Sequence, residues 1–180
     1  LKKVLIMKKV FLFMIAGLLS GSVFAQQTNS EITKKNAWIK AGIGLGAPVG
    51  KLADQSNFAL TADVKGQFLS TPNWGVGVAT GYTHYFPKTG AENFGSIPVG
   101  AFVRYYPART GIFVGSDLGY SFQTGSHDNS NGGVYVRPQV GYHNRHWNFY
   151  GYYNGIFRSI DRGDHLQHVG VGVAYNIMFN

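Results

Sequence analysis

The chain predicts an all-β fold, a closed up-and-down antiparallel barrel of eight strands. Three observations carry that expectation. From Ala37 onward the sequence divides into eight runs of ten or more residues in which large apolar side chains recur at every second position. The connections between these runs alternate long and short. The last run alternates Val169, Val171, Val173, Tyr175, Ile177 and Phe179 with small or polar residues, so it has two faces and suits a sheet that closes on its own first strand.

The segment before the strands reads as a leader. Residues 1–25 comprise an upstream extension, Leu1 to Ile6, and a cleavable signal peptide. Met7-Lys8-Lys9 is its basic start, Val10 to Leu19 its apolar stretch, and Ser20 to Ala25 a small-residue cleavage site with Val23 at −3 and Ala25 at −1. The apolar stretch is about half the roughly 20 residues a spanning helix needs. Residues 26–36 form a polar leader, and 37–180 the barrel domain. The chain has no Cys, which excludes a disulfide and a lipoprotein-type cleavage site. Four of the sixteen basic residues precede Ala25, leaving twelve against eight acidic ones in the chain after the cleavage site. They form no cluster that would track phosphates, so a nucleic-acid partner is not expected.

The strands follow in order. Ala37–Gly46 sets Ile39, Ala41, Ile43 and Leu45 against Lys40, Gly42 and Gly44. Phe58–Leu69 sets Leu60, Ala62, Val64 and Phe68 against Thr61, Asp63, Lys65 and Gln67. Trp74–Phe86 sets Trp74, Val76, Val78 and Tyr82 against Gly75, Gly77, Ala79 and Gly81. Gly95–Tyr106 sets Ile97, Val99, Ala101, Val103 and Tyr105 against Ser96, Gly100, Phe102 and Arg104. Ile112–Gln123 sets Ile112, Val114, Leu118, Tyr120 and Phe122 against Gly115, Asp117, Gly119 and Ser121. Val134–His143 sets Val134, Val136, Val140 and Tyr142 against Tyr135, Arg137 and Gln139. Trp147–Arg158 sets Trp147, Phe149, Tyr153 and Phe157 against Asn148, Tyr150, Tyr152, Asn154 and Arg158. The terminal run is the eighth. These runs exceed the usual globular strand of about five or six residues. Tilted strands of about 9–11 residues cross a bilayer.

Period two alone does not say which face is the interior. A soluble lipocalin-type barrel would turn the apolar face inward. The polar face here is rich in Gly, Ser, Asn and Gln and carries both signs of charge: Lys40, Asp63, Lys65, Arg104, Asp117, Arg137 and Arg158. Only 13% of residues are charged, against roughly 25% in an average soluble protein. Enclosed, such charges pair with one another; on a lipid face each Arg or Lys at midplane would cost about 2–4 kcal/mol. The apolar face carries aromatics toward strand ends (Trp74, Tyr82, Tyr105, Tyr120, Tyr142 and Trp147), where interfacial girdles lie. The reading is therefore a transmembrane barrel with the charges in its lumen.

At this point the chain resembles the small outer-membrane β-barrel family, the OmpA/OmpX-like domains often described as porin-family barrels. The residues that carry the resemblance are Ile97-Pro98-Val99-Gly100-Ala101-Phe102-Val103-Arg104-Tyr105-Tyr106-Pro107, Gly111 to Tyr120, and the terminal strand. Gly172, Tyr175, Ile177 and Phe179 also resemble the C-terminal signal read by the outer-membrane barrel assembly machinery, with the difference that Asn180 follows the aromatic. The resemblance implies export to a bacterial outer membrane and contact with its lipid and lipopolysaccharide. It also implies handling by periplasmic chaperones and the assembly machinery. It transfers no catalytic residues.

Chemistry beyond architecture has three candidates. The interior charges form either a structural plug or a narrow pore for small solutes. Eight strands leave an interior just wide enough for side chains to fill, and Phe102, Tyr135, Tyr150 and Tyr152 would occupy much of it, which favours the plug. A lipid A-modifying enzyme would need a base and a nucleophile together. The histidines His84, His127, His143, His146, His165 and His168 show no such pairing with a serine, so no catalytic site is expected. His127 with Asp128, or Asp161, Asp164, His165 and His168, match no metal-ligand spacing, so no metal or cofactor is expected. The loop Gly125 to Gly133 is polar and Gly-rich, and exposed loops are where barrels place binding. The role expected is structural, adhesive or surface-recognising, with an extracellular ligand at the loops. A narrow pore is the second reading, a lipid A-modifying enzyme the third and a soluble lipocalin-like binder the fourth.

Overall fold

The computed structural model describes residues 38–180 apart from 72, 90–92, 109, 126–131, 159–163, 179 and 180. The leader 1–25, the polar segment 26–36, Ala37, Phe179, Asn180 and the loop residues His127, Asp128, Ser159 and Asp161 lie outside the described residues.

Eight strands are present: β1 Trp38–Val49, β2 Ser56–Thr71, β3 Trp74–Pro87, β4 Phe94–Tyr105, β5 Gly111–Thr124, β6 Gly133–His143, β7 Trp147–Phe157 and β8 Leu166–Met178. Each is antiparallel to the next, and β1 pairs with β8 from Trp38↔Met178 to Val49↔Gln167, so the sheet is a closed barrel. Closure leaves no strand edge unpaired, the condition under which strands cross a bilayer.

The strands fall close to the expected runs, and the connection after β1 differs. The expected runs leave Ala47 to Asn57 as a loop. Instead β1 runs on to Val49 and a one-turn helix, α1 (Leu52–Gln55), follows. Gly50 sits at the corner with φ 61°, a conformation that side chains rarely adopt. Leu52 turns inward and joins Ala59, Tyr85, Tyr135, Ile156 and Leu166 in an apolar cluster at the long-loop end of the interior. Burying one leucine is worth about 1.5–3 kcal/mol, enough to hold a single turn that has no side-chain cap. Lys88 secures the turn from the β3–β4 side: its Nζ donates to the Ala53 carbonyl at 2.6 Å and its backbone N–H to the Gln55 carbonyl at 2.9 Å.

From the β7–β8 side, Asp164 accepts a hydrogen bond from Lys51 Nζ at 2.7 Å. That carboxylate raises the Lys51 pKa, so the pair is formed at neutral pH and lost as pH rises through the lysine's titration. Lys51 is fully solvated, and exposed pairs contribute little. Lys51→Ala is therefore expected to leave the thermal midpoint unchanged in physiological salt, as read by the temperature at which the folded gel band disappears.

Which face is the interior is settled by burial. Asp117 is 0% and Lys40 0% exposed, while Val171 is 67% and Ile43 62% exposed. The barrel is inside-out relative to a lipocalin. Large apolar side chains cover its exterior from β1 to β8. The aromatics ring that surface at two levels. Trp74 stacks at a tilt on Tyr105 (4.9 Å between centroids) and Trp147 meets Tyr175 edge-on (5.0 Å), all at the short-turn end, with Tyr142 beside them. Toward the long-loop end lie Tyr82, Tyr120 and Phe122, with Phe58 stacked on Phe86 at 4.2 Å.

Candidate functional site

The lumen is built by alternation. Large polar or aromatic groups on inward positions face glycines and other small residues that make room for them. A Cβ at Gly172 would lie 2.7 Å from the Tyr150 ring, and one at Gly115 2.7 Å from the Arg104 side chain. The glycines of β8 and β5 are thus the spaces into which β7 and β4 place their bulk. The β3 wall, Gly75, Gly77, Ala79 and Gly81, does the same for its neighbours: a Cβ at Gly75 would meet the Gln67 amide at 2.8 Å, and one at Gly77 the Phe102 ring at 2.8 Å.

Six of the seven charges expected in the lumen come together there, all at 4% exposure or less: Lys40, Asp63, Lys65, Arg104, Asp117 and Arg137. Lys65 Nζ donates to Asp117 Oδ2 at 2.5 Å across the barrel. Gln139 Nε2 donates to Asp117 Oδ1 at 2.9 Å, and Arg104 Nη2 donates to Gln139 Oε1 at 2.8 Å. Arg104 Nη1 reaches Asn148 Oδ1 at 3.4 Å, Asn148 Nδ2 donates to Asn176 Oδ1 at 2.7 Å, and Lys40 Nζ donates to the same oxygen at 2.9 Å. One hydrogen-bonded chain therefore links β2, β5, β6, β4, β7, β8 and β1. A second unit lies beside it: Asp63 Oδ2 accepts from Arg137 Nη1 and from Tyr150 Oη, both at 3.1 Å.

These six side chains comprise four cations and two carboxylates. The excess positive charge meets ring faces, whose quadrupoles are negative. The Arg104 guanidinium lies 4.7 Å from the Phe113 centroid and 5.7 Å from that of Phe102. Arg137 lies 4.1 Å from Tyr152 and 5.9 Å from Tyr150. Rings, amides and carboxylates together surround the charges. Arg158 stands apart. It is half-buried at the end of β7, donates to Gln123 Oε1, and its backbone N–H donates to His165 Nδ1 at 3.1 Å.

Reading charges alone misses the residues that join them: Gln139, Asn148, Asn176, Tyr150 and the Phe113 ring. Their signal is parity, because each occupies the same inward register as a charged residue on its own or the adjacent strand. Among the described residues the histidines do not assemble. His143 bonds the Ala108 carbonyl, His168 lies against Tyr85 and Tyr152, and His146 stacks on Tyr175. Among the described residues no group of three or more His, Cys, Asp or Glu is arranged to hold a metal ion.

No family model and no curated protein matches the sequence. Solved structures do match. Ail, the attachment invasion locus protein of Yersinia pestis, aligns with a TM-score of 0.53 at 11% identity, over 81% of this chain and 100% of that one. Neisserial surface protein A aligns with a TM-score of 0.49 at 14% identity, over 78% of this chain and 96% of that one. The N-terminal β-barrel domain of Pseudomonas aeruginosa OprF gives 0.45 at 15% identity, over 80% and 98%. The chain has the fold of the small eight-stranded outer-membrane β-barrels.

Proposed function

We propose that this protein is a sealed outer-membrane barrel, a rigid anchor with a structural, adhesive or surface-recognising role carried by the loops at its α1 end. The observation that carries the reading is the occluded interior. Six buried charged side chains and the rings of Phe102, Phe113, Tyr150 and Tyr152 fill its middle, and Leu52 with its apolar neighbours closes the long-loop end. A lumen crowded with large side chains, its carboxylates each bonded to a cation, is the arrangement of a plug. In this reading residues 1–25 direct export, and Gly172, Tyr175, Ile177 and Phe179 present the last strand to the assembly machinery after periplasmic chaperones deliver it. Tyr175 and Ile177 face outward on β8, where such a reader has access to them.

The barrel reconstituted in planar bilayers is expected to show no steady ion conductance. Channels of uniform size in the wild type, with ion selectivity altered by Arg104→Gln, would instead favour the narrow pore. Folding without detergent or lipid would return the soluble reading, which the boiled and unboiled gel shift reads directly.

A further inference from the structure

The outer surface is not evenly covered. On β7 the outward series runs Trp147, Phe149, Gly151, Tyr153, Gly155, Phe157; the Phe157 and Tyr153 rings lie over Gly155, whereas no side chain lies over Gly151. Its neighbours in register are Val171 on β8 and Val140 on β6. The result is an open groove of about 670 Å³ lined by Ile43, Leu45, Phe149, Gly151, Val171 and Val173, among others. A Cβ built at Gly151 finds only the Gly170 carbonyl oxygen nearby, at 3.9 Å, so the strand packing itself does not call for a glycine there.

The groove is continuous with a built feature at the short-turn end. An aromatic rail leads from it: Phe149 stacks on Trp147 (6.4 Å between centroids), Trp147 meets Tyr175 (5.0 Å), and His146 stacks on Tyr175 (5.9 Å). The β6–β7 turn that carries His146 and the exposed Arg145 is firmly held. Asn144 Oδ1 accepts from the backbone N–H groups of His146 and Trp147 at 2.9 and 2.8 Å. Asn176 donates its backbone N–H to the His146 carbonyl at 2.7 Å and its side-chain Nδ2 to the Arg145 carbonyl at 3.1 Å. A basic turn, an interfacial aromatic pair and an apolar groove thus lie in line along β7 and β8, in the order headgroup, glycerol level and hydrocarbon.

We propose that this line is a binding site for one anionic phospholipid, with an acyl chain in the groove at Gly151 and its phosphate on Arg145 and His146. The inference rests on the membrane placement proposed above, which turns the short-turn end toward the periplasmic leaflet. Three features commit the occupant to a lipid. The groove lies inside the hydrocarbon belt, its lining is apolar, and the turn beyond the aromatic pair carries the exposed Arg145, whose guanidinium is suited to a phosphate. A second copy of the chain would need a complementary ridge rather than a cation at the interface.

The test uses the folded barrel in vesicles of equal parts phosphatidylcholine and phosphatidylglycerol, extracted into mild detergent, with retained lipid counted by native mass spectrometry. The wild type is expected to keep one phosphatidylglycerol. Gly151→Leu, which fills the groove, is expected to lower retention of either lipid about tenfold, and Gly151→Ala by less. Arg145→Gln is expected to keep a lipid but abolish the preference for phosphatidylglycerol. Val99→Leu, on the opposite wall, should match the wild type. Equal retention in Gly151→Leu and wild type, or a dimer without lipid, overturns the site. The gel shift of each variant separates a lost lipid from a lost fold. A wild type that folds without detergent would defeat the membrane reading instead.

Discussion

Asp117→Ala is expected to destabilise the barrel by about 3–5 kcal/mol, the cost of breaking a buried ion pair by removing one partner. Asp117 is fully buried and holds two groups, the Lys65 ammonium at 2.5 Å and the Gln139 amide at 2.9 Å. Alanine leaves a buried cation without its nearest counter-charge and an amide without its acceptor. The disturbance passes to Arg104, which Gln139 accepts on its other end. Urea unfolding in lipid vesicles, followed by tryptophan fluorescence, measures the loss. The double replacement Lys65→Met with Asp117→Leu should recover most of it, because a buried pair exchanged for apolar groups of similar volume is close to neutral. A loss below about 1 kcal/mol for Asp117→Ala, the level of an ordinary substitution, would mean that water reaches the pair and the plug is not dry.

Leu118→Arg, one residue along the same strand, is expected to cost about 2–4 kcal/mol for the opposite reason. Leu118 points outward near the middle of β5 and is 50% exposed. In lipid, a guanidinium there loses its hydration and has no partner. On a water-facing barrel the same change would fall within about 0.5 kcal/mol. The substitution therefore reads the solvent of the exterior directly. A neutral result in vesicles would place that face outside the hydrocarbon.

These two neighbours also show what a sequence exposes. Asp117 and Leu118 are assigned to opposite faces by alternation alone, and the same parity puts Lys40, Lys65, Arg104 and Arg137 on the face of Asp117. Partnership is a different matter. Lys65 and Asp117 are 52 residues apart and Lys40 and Asn176 are 136 apart. They meet because of the barrel's closure and strand stagger, which the period does not encode. The uncharged links, Gln139, Asn148 and Asn176, carry no signal apart from their register. Arg158 has inward parity, but the end of its strand leaves it half in water, bonded to Gln123.

The helix α1 illustrates a further limit. Leu-Ala-Asp-Gln has neither the length nor the cap of a sequence-coded helix. One buried leucine and two contacts from Lys88 shape it, so its origin is tertiary. The groove at Gly151 has no signal of its own in the sequence, because Gly155 shares the same outward parity and only the neighbouring side chains distinguish the two.

The seam between β1 and β8 has a kinetic consequence. Its pairings are the most distant in the chain, whereas the other seven strand contacts join consecutive strands. Local hairpins can form early, but the seam must wait for a long closure whose entropy no nearby contact offsets. Until then two extended strands present their amide rows to any similar chain. Protection from aggregation thus arrives at the last step of folding, and whatever delays that step lengthens the time the chain spends exposed.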